Sequence, residues 1–124
     1  MSTVLLVEDE ELNRVLVRAI LARADTPAVH DADLLEAGSI ADARSALAAH
    51  DVDLVLLDVN LPDGSGLSLA AELNEAPARP TVIALTASVL PHEKAAAMDA
   101  GCDAFLDKPY AAADLVSILA NHLS

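Results

Sequence analysis

Acidic, hydroxyl and ammonium side chains follow four short aliphatic runs of this sequence, at Glu8, Asp9, Asp58, Thr86 and Lys108. Carboxylates that come within a few ångströms of each other repel, so a cluster of three needs a proton or a cation. Mg²⁺ is the natural cation, because it prefers oxygen ligands and usually binds one or two carboxylates together with water and phosphate oxygens. An ammonium and a hydroxyl group nearby would suit a phosphoryl group. The residue types therefore suggest phosphoryl transfer to a carboxylate.

The aliphatic runs themselves predict five strands. Each has three to five residues, too few for a helix, and the first, third and fourth are almost entirely aliphatic, as strands covered on both faces are. The predicted strands are Val4–Val7, Asp33–Ala37, Leu54–Leu57, Thr81–Leu85 and Ala104–Leu106.

Five amphipathic stretches alternate with these strands and predict helices. Each has apolar residues three and four positions apart, which is the spacing of one helix face. Ser39 is expected to cap the second helix at its N-terminus, and Gly101 to end the fourth. The predicted helices are Leu12–Ala24, Ile40–His50, Ser65–Leu73, Pro91–Ala100 and Ala111–Leu123.

Regular alternation of strands and helices predicts an α/β fold of one domain over residues 1–124, an open parallel sheet with helices on both faces. Ligands of such sheets bind at the carboxyl ends of the strands. The second strand ends without a charged residue at Ala37, Gly38 and Ser39, whereas the other four end at the polar residues. This asymmetry fits the strand order 2-1-3-4-5, in which the second strand is an edge and the four others are neighbours.

The composition excludes several classes of function. The chain has 124 residues, of which 54% are hydrophobic and 2% aromatic, so the expected core is aliphatic. Seven basic residues against 20 acidic ones give a net charge of −13, which disfavours binding to nucleic acids and anionic membranes. Cys102 is the only cysteine, so no internal disulfide can form, and no run of 18 apolar residues is present. We expect a soluble, cytoplasmic protein.

Four motifs in order along the chain resemble those of the receiver domains of two-component response regulators. The resemblance covers essentially the whole chain and implies the flavodoxin-like receiver fold, with no enzymatic activity beyond the domain's own phosphorylation and dephosphorylation. The motifs are Val7-Glu8-Asp9, the run Asp53–Asp58 with Leu61-Pro62 and Gly66, Ala84-Leu85-Thr86-Ala87, and Lys108-Pro109.

The resemblance assigns roles to the acidic residues. Asp58 is expected to accept a phosphoryl group from the phosphohistidine of a histidine kinase or a histidine phosphotransfer protein. Asp9 and Asp58 are expected to bind Mg²⁺ directly, Glu8 through water, and Asn60 through its backbone carbonyl.

The resemblance also assigns the phosphate contacts and a switch. Asn60, Thr86, the backbone N–H of Ala87, and Lys108 are expected to contact the phosphoryl group, and a cis peptide at Lys108-Pro109 would direct the ammonium inward. Thr86 and Phe105 are expected to act as a rotameric switch, which changes the face formed by the fourth helix, fifth strand and fifth helix. That face would bind a downstream protein, and the domain would be a monomer or weak homodimer.

Helix one is expected to dock the phosphodonor. Its core stripe is predicted to be Leu12, Val15, Leu16, Ala19 and Ile20. Val17 and Leu21 would then face outward beside Arg14, Arg18 and Arg23, forming an apolar surface edged by cations that suits a protein partner.

Three alternatives compete with these predictions. An aspartyl phosphatase of the haloacid dehalogenase type uses similar residues but needs a second acid two positions after the nucleophile, where this chain has Asn60. An inert pseudo-receiver would be expected to lack the acids or Lys108. Each residue also has a purely structural alternative: Glu8 and Asp9 as solvated acids, Thr86 as a strand residue and Phe105 as core. Asp107 is expected to be solvated, and Cys102 to be a packing residue.

Overall fold

The structure is a computed structural model and describes residues 2–75, 79–86, 95–96, 98–108 and 110–123. Seven strands are present in these ranges: β1 (Thr3–Val7), β2 (Asp33–Ala37), β3 (Leu54–Asp58), β4 (Asn60–Leu61), β5 (Gly64–Ser65), β6 (Thr81–Thr86) and β7 (Ala104–Asp107).

Five of the strands form one parallel sheet in the order β2-β1-β3-β6-β7. The remaining two, β4 and β5, form a short antiparallel hairpin after β3. Without that hairpin the order is 2-1-3-4-5, so the predicted α/β fold is confirmed, and β2 lies at an edge as expected. Each predicted strand is present, and four of the five are one residue longer at one or both ends than the aliphatic pattern indicated.

Five helices have bounds in the described ranges: α1 (Glu11–Ala22), α2 (Pro27–His30), α3 (Ile40–Ala49), α4 (Gly66–Asn74) and α5 (Ala112–His122). Of the predicted helix Pro91–Ala100, residues 95, 96, 98 and 99 are helical, and residues 91–94 and 97 lie outside the described part. Within the described residues, no helix combines the length and the apolar character needed to cross a bilayer.

Two expected helix boundaries are confirmed. The Ser39 hydroxyl accepts a hydrogen bond from the backbone N–H of Asp42 at 3.1 Å and so caps α3. Gly101 has a φ of 104°, a conformation that favours glycine, and lies two residues after the helical residue 99.

The sheet is covered on both faces because its strand residues alternate between two aliphatic clusters. Leu5 and Val7 of β1 pack on one face with α3 and α4, whereas Val4 and Leu6 pack on the other face with α1, α2 and α5. Strands β3 and β6 alternate in the same way. This packing explains why the central strands are aliphatic at almost every position except their ends, and it confirms the prediction of helices on both faces.

The predicted core stripe of α1 is wrong at three of its five positions, although Ile20 is buried as expected. Val17 and Leu21 are buried against the sheet, whereas Leu12, Val15 and Leu16 are exposed, with Leu12 retaining 78% of its accessible surface. Helix α1 has apolar residues on two faces, both with the spacing of three and four residues. Periodicity alone could not decide which face meets the sheet, so the proposed outward patch with Val17 and Leu21 does not exist.

The segment between α1 and β2, for which the sequence pattern predicts no helix or strand, contains a helical turn. Helix α2 begins at Pro27, a favourable first helical position because proline lacks the N–H that would be left unpaired there. Its Val29 is completely buried in the cluster that also includes α1 and α5. The segment therefore contributes to the core.

Candidate functional site

The ends of the central strands bring the sequence-predicted acids to one edge of the sheet. Glu8 and Asp9 directly follow β1, and Asp58 is the last residue of β3. Because Val7 lies beside Leu57 in the parallel register, the residues after these two positions emerge side by side. We call this side of the sheet the carboxyl edge.

Three carboxylates cluster at the carboxyl edge. Glu8, Asp9 and Asp58 each contribute an oxygen atom, and these atoms all lie within 4.8 Å of one another. Glu8 and Asp58 are almost completely buried, with 1% and 6% of their surface accessible, whereas Asp9 is exposed. The cluster is therefore open to solvent on the side of Asp9.

Lys108 provides the counter-charge. Its Nζ donates hydrogen bonds to Oε2 of Glu8 at 2.9 Å and to Oδ2 of Asp58 at 3.2 Å. The backbone N–H of Lys108 donates to the carbonyl of Thr86 at 2.7 Å, which holds the residue beside the end of β6. Among the residues that the structure describes, one ammonium thus faces three carboxylates, and these groups together carry an excess of negative charge.

Burial shifts the protonation of the cluster. Burial, together with a hydrogen bond to Glu8, raises the pKa of Asp58 from 3.8 to about 6. Burial opposes ionisation of Glu8 too, but hydrogen bonds with Asp58, Asn13 and Lys108 hold the pKa of Glu8 below its usual value. Burial acts to lower the pKa of Lys108, and the two acids more than offset it, so that this pKa is raised. In the metal-free site Asp58 therefore keeps a proton up to a higher pH than an ordinary aspartate.

The hairpin after β3 fixes the backbone around Asp58. The N–H of Asn60 donates to Oδ1 of Asp58 at 3.0 Å, and the N–H of Gly66 donates to the carbonyl of Val59 at 2.7 Å. A Cβ atom on Gly66 would lie 2.2 Å from the carbonyl oxygen of Asp58. Only glycine fits at this position. This close contact gives a physical reason for Gly66, which the sequence analysis includes only as part of a family motif.

Two other predicted site residues, Thr86 and Phe105, lie in the neighbouring strands β6 and β7. Thr86 is buried at the end of β6, one position beyond Leu85, which pairs with Asp58. Phe105 is half-buried in β7 and packs against the aliphatic core cluster that includes residues of α3 and α4. Ala87 lies outside the described residues, as does Pro109 with its expected cis peptide.

Two minor expectations have different outcomes. Asp107, expected to be solvated, is half-buried at the end of β7 because that strand extends one residue further than predicted. Cys102 is buried, and burial raises the pKa of its thiol to about 11, which confirms it as a packing residue.

Two contacts that α1 makes with Glu8 are not predicted by the sequence pattern. Asn13 donates to Oε1 of Glu8 at 3.1 Å, and Nη1 of Arg14 donates to the backbone carbonyl of Glu8 at 2.7 Å. Arg14, predicted to edge an outward docking patch, instead bonds to Glu8. The spacing of five and six residues from Glu8 is the only sequence signal, and it becomes informative once the orientation of α1 is known.

The donor set fits Mg²⁺. Magnesium binds oxygen ligands and keeps several waters, and the cluster combines two buried carboxylates with an exposed one on the solvent side. A divalent cation bound to the cluster would offset its excess negative charge. Glu8, Asp9 and Asp58 are the residues that could hold the ion.

Comparison with known proteins agrees with this geometry. The family model described as the response regulator receiver domain matches residues 4–120. The receiver domain of the sensor histidine kinase PA1611 from Pseudomonas aeruginosa, solved with a magnesium ion coordinated in the active site cleft, is 27% identical. The two structures superimpose with a TM-score of 0.84 over 98% of this chain and 97% of that one. Vibrio cholerae CheY4, at 22% identity, shares the fold with a TM-score of 0.87, covering 99% of both chains.

Curated relatives extend the likeness. The rice two-component response regulator ORR41 is 38% identical over 120 residues, which are 97% of this chain and 93% of that protein. The KDP operon transcriptional regulatory protein KdpE of Escherichia coli is 37% identical over 93% of this chain, and the aerobic respiration control sensor protein ArcB is 36% identical over 94%. The match spans 48% of KdpE and 14% of ArcB. The chain belongs to the family of response regulator receiver domains, which are modules of two-component signalling.

Proposed function

We propose that the 124 residues form one receiver domain that accepts a phosphoryl group on Asp58 with the help of Mg²⁺. The donor is the phosphohistidine of a histidine kinase or of a histidine phosphotransfer protein. The observation that supports this most strongly is the buried Asp58 carboxylate, which lies in an acidic cluster with the ammonium of Lys108 at 3.2 Å. A cytoplasmic location is part of the proposal and rests on the sequence expectation alone.

In the proposed reaction, a carboxylate oxygen of Asp58 attacks the phosphorus atom of the phosphohistidine. The P–N bond breaks, its electron pair stays on the imidazole nitrogen, and an acyl phosphate forms on Asp58. The Asn60 N–H holds Oδ1 of the carboxylate, and Lys108 beside Oδ2 is placed to pair with a phosphoryl oxygen. Positioning and neutralisation of charge would supply most of the acceleration.

The metal site follows from the same residues. Asp9, Asp58 and the backbone carbonyl of Asn60 would hold Mg²⁺ directly and Glu8 through water. The bound ion would supply positive charge beside the phosphoryl oxygens. Below about pH 6, Asp58 must lose a proton before its carboxylate can act as nucleophile or ligand, and Lys108 and the metal both favour that loss.

The proposed switch uses Thr86 and Phe105. The Thr86 hydroxyl and the N–H of Ala87 would bind phosphoryl oxygens, and the inward movement of Thr86 would let Phe105 turn toward the space it leaves. This repacking would change the face that includes the predicted fourth helix, β7 and α5, which would bind a downstream protein. We expect a monomer or weak homodimer, with this face as the interface.

The phosphodonor is proposed to dock on the exposed face of α1. That helix begins two residues after Asp9, and its exposed Leu12, Val15 and Leu16 form an apolar surface beside the site. The substitution Leu16→Asp should slow transfer from a histidine-bearing donor protein while leaving phosphorylation by a small phosphodonor unchanged. An equal effect on both donors would contradict this docking surface.

Intact mass spectrometry tests the proposed activity. After incubation with acetyl phosphate and Mg²⁺, the wild type should gain one phosphoryl group, whereas Asp58→Asn or a chelator should prevent the gain. Asp103→Asn, which removes a carboxylate at the opposite end of the sheet, is the matched control and should be phosphorylated normally. Steady release of phosphate from many phosphomonoesters would instead favour the phosphatase alternative.

A further inference from the structure

We propose that Asn13 and Arg14, in the first turn of α1, are positioning residues that hold Glu8 in the orientation required at the Mg²⁺ site. This inference deepens the proposed function and rests on its metal site. Neither residue reaches the cluster as a ligand. Their effect would be exerted through Glu8 alone.

Arg14 anchors the backbone of Glu8. Its Nη1 donates to the Glu8 carbonyl at 2.7 Å, while the Glu8 N–H donates to the carbonyl of Ala37 at 2.9 Å. The Arg14 side chain is 22% exposed and also lies near Glu36 of the edge strand, with Nε 3.6 Å from Oε1. Arg14 thus connects the end of β1 to both α1 and β2. Together these contacts fix the backbone position of Glu8.

Asn13 anchors the carboxylate of Glu8. Its side-chain amide donates to Oε1 at 3.1 Å, and the backbone N–H of Glu10 donates to the same oxygen at 3.3 Å. The other oxygen, Oε2, accepts from Lys108. With both oxygens bonded, rotation of the carboxylate is fixed.

Lys108 cannot position Glu8 by itself, because its ammonium is shared with Asp58. In the proposed reaction the same ammonium turns to the phosphoryl group, and its contact with Glu8 weakens. The contacts from α1 do not depend on phosphorylation. Asn13 and Arg14 would therefore keep Glu8 in place through the whole cycle, and groups that orient metal ligands from behind commonly change metal affinity by tenfold or more.

Arg14→Ala and Arg18→Ala form a matched pair for the test. Each variant removes one cation from α1 and one partner of Glu36, since Nε of Arg18 lies 3.0 Å from Oε2 of Glu36. Of the two arginines, Arg14 is the one that bonds to Glu8. Loss of a cation from α1 slightly favours Mg²⁺ binding in both variants. Weaker Mg²⁺ binding by Arg14→Ala could therefore not be explained by the change in net charge.

The measurement is isothermal titration of the full chain with MgCl₂, together with the melting temperature in metal-free buffer. We expect the Mg²⁺ Kd of Arg14→Ala to be about tenfold weaker than that of Arg18→Ala. Asn13→Ala should weaken binding by a similar factor relative to Asn121→Ala, which removes an exposed asparagine from α5. If Arg14→Ala does not fold, the asparagine pair decides.

The outcomes are distinguishable. Equal Mg²⁺ affinity within each matched pair, even with a lowered melting temperature, would show that the two residues are structural and would overturn the inference. A wild type that does not bind Mg²⁺ would overturn the proposed function itself.

Discussion

Acidic and basic side chains meet at both ends of the parallel sheet, but the ratio of negative to positive charges differs between the two ends. At the end where the strands begin, which we call the amino edge, Arg79 pairs with Asp103 at 3.1 Å and also donates to the carbonyl of Gly101 and the side chain of Asn74. Asp103 in turn accepts a hydrogen bond from the backbone N–H of Val82. Both charges are partly exposed and matched one to one.

The carboxyl edge departs from that balance in two respects. In the described part of the chain, three carboxylates there face one ammonium, and two of the carboxylates are buried. An arrangement of this kind costs free energy unless a proton or a cation completes it, whereas the pair at the amino edge needs nothing further. The difference teaches that unmatched and buried charge, rather than the presence of an ion pair, distinguishes the end of the sheet that holds the candidate site.

Replacing a glycine at each edge should give the largest difference. Gly66→Ala would force a Cβ atom against the Asp58 carbonyl, so we expect a loss of about 3 kcal/mol of stability and loss of measurable Mg²⁺ binding. Gly101→Ala, which strains the positive φ at the amino edge, should also destabilise the protein but leave Mg²⁺ affinity unchanged. Denaturant unfolding and calorimetric titration measure the two effects. Unchanged Mg²⁺ binding in Gly66→Ala would contradict the role of this close contact.

Removing one acid at each edge should shift stability in opposite directions. In metal-free buffer at pH 8, Asp58→Asn should be more stable than the wild type by about 2 kcal/mol, because a buried charge disappears. Asp103→Asn should be less stable, because Arg79 loses its partner.

The pH dependence checks the sign of the Asp58 effect. The folded-state pKa of about 6 exceeds the ordinary value of 3.8, so the folded wild type holds its proton more strongly between these values. Metal-free stability contributed by Asp58 is present below pH 4 and is lost as pH rises toward 6. The advantage of Asp58→Asn should therefore grow over that interval and then stay constant. An advantage that does not vary with pH would rule out the raised pKa as its cause.

The smallest expected effect belongs to the amino edge. Arg79→Ala removes hydrogen bonds at a partly exposed position, so a loss of about 1 kcal/mol is expected. The Mg²⁺ affinity should be the same as that of the wild type, measured by the same titration. A change in affinity would show that the two edges are coupled and not separate in function.

The sheet and its polar edge could be predicted because both depend on local pattern. Aliphatic runs gave the strands, and the uncharged end of β2 indicated which strand lies at an edge. The acids and Lys108 then had to meet, since residues after neighbouring parallel strands emerge on the same side. Helix α1 was different, because Leu12 and Leu16 on one face compete with Val17 and Leu21 on the other.

The same ambiguity in the orientation of α1 prevents prediction of the contacts that this helix makes with Glu8. Only the true orientation of α1 brings Asn13 and Arg14 to its carboxylate and carbonyl. The need for glycine at residue 66 likewise comes from a backbone contact across the hairpin, which no periodicity encodes. Side-chain geometry that depends on packing between helices and strands therefore could not be predicted from the sequence. The residue types at the strand ends, and the chemistry they suggest, could be.

Locating the phosphoryl group on the chain tests the central claim most directly. After reaction with acetyl phosphate, borohydride reduces an aspartyl phosphate to homoserine, and peptide mapping then identifies the residue. We predict homoserine at position 58 when Mg²⁺ is present and none when it is chelated. Modification at any other residue, or an equal yield at position 58 without Mg²⁺, would contradict the account.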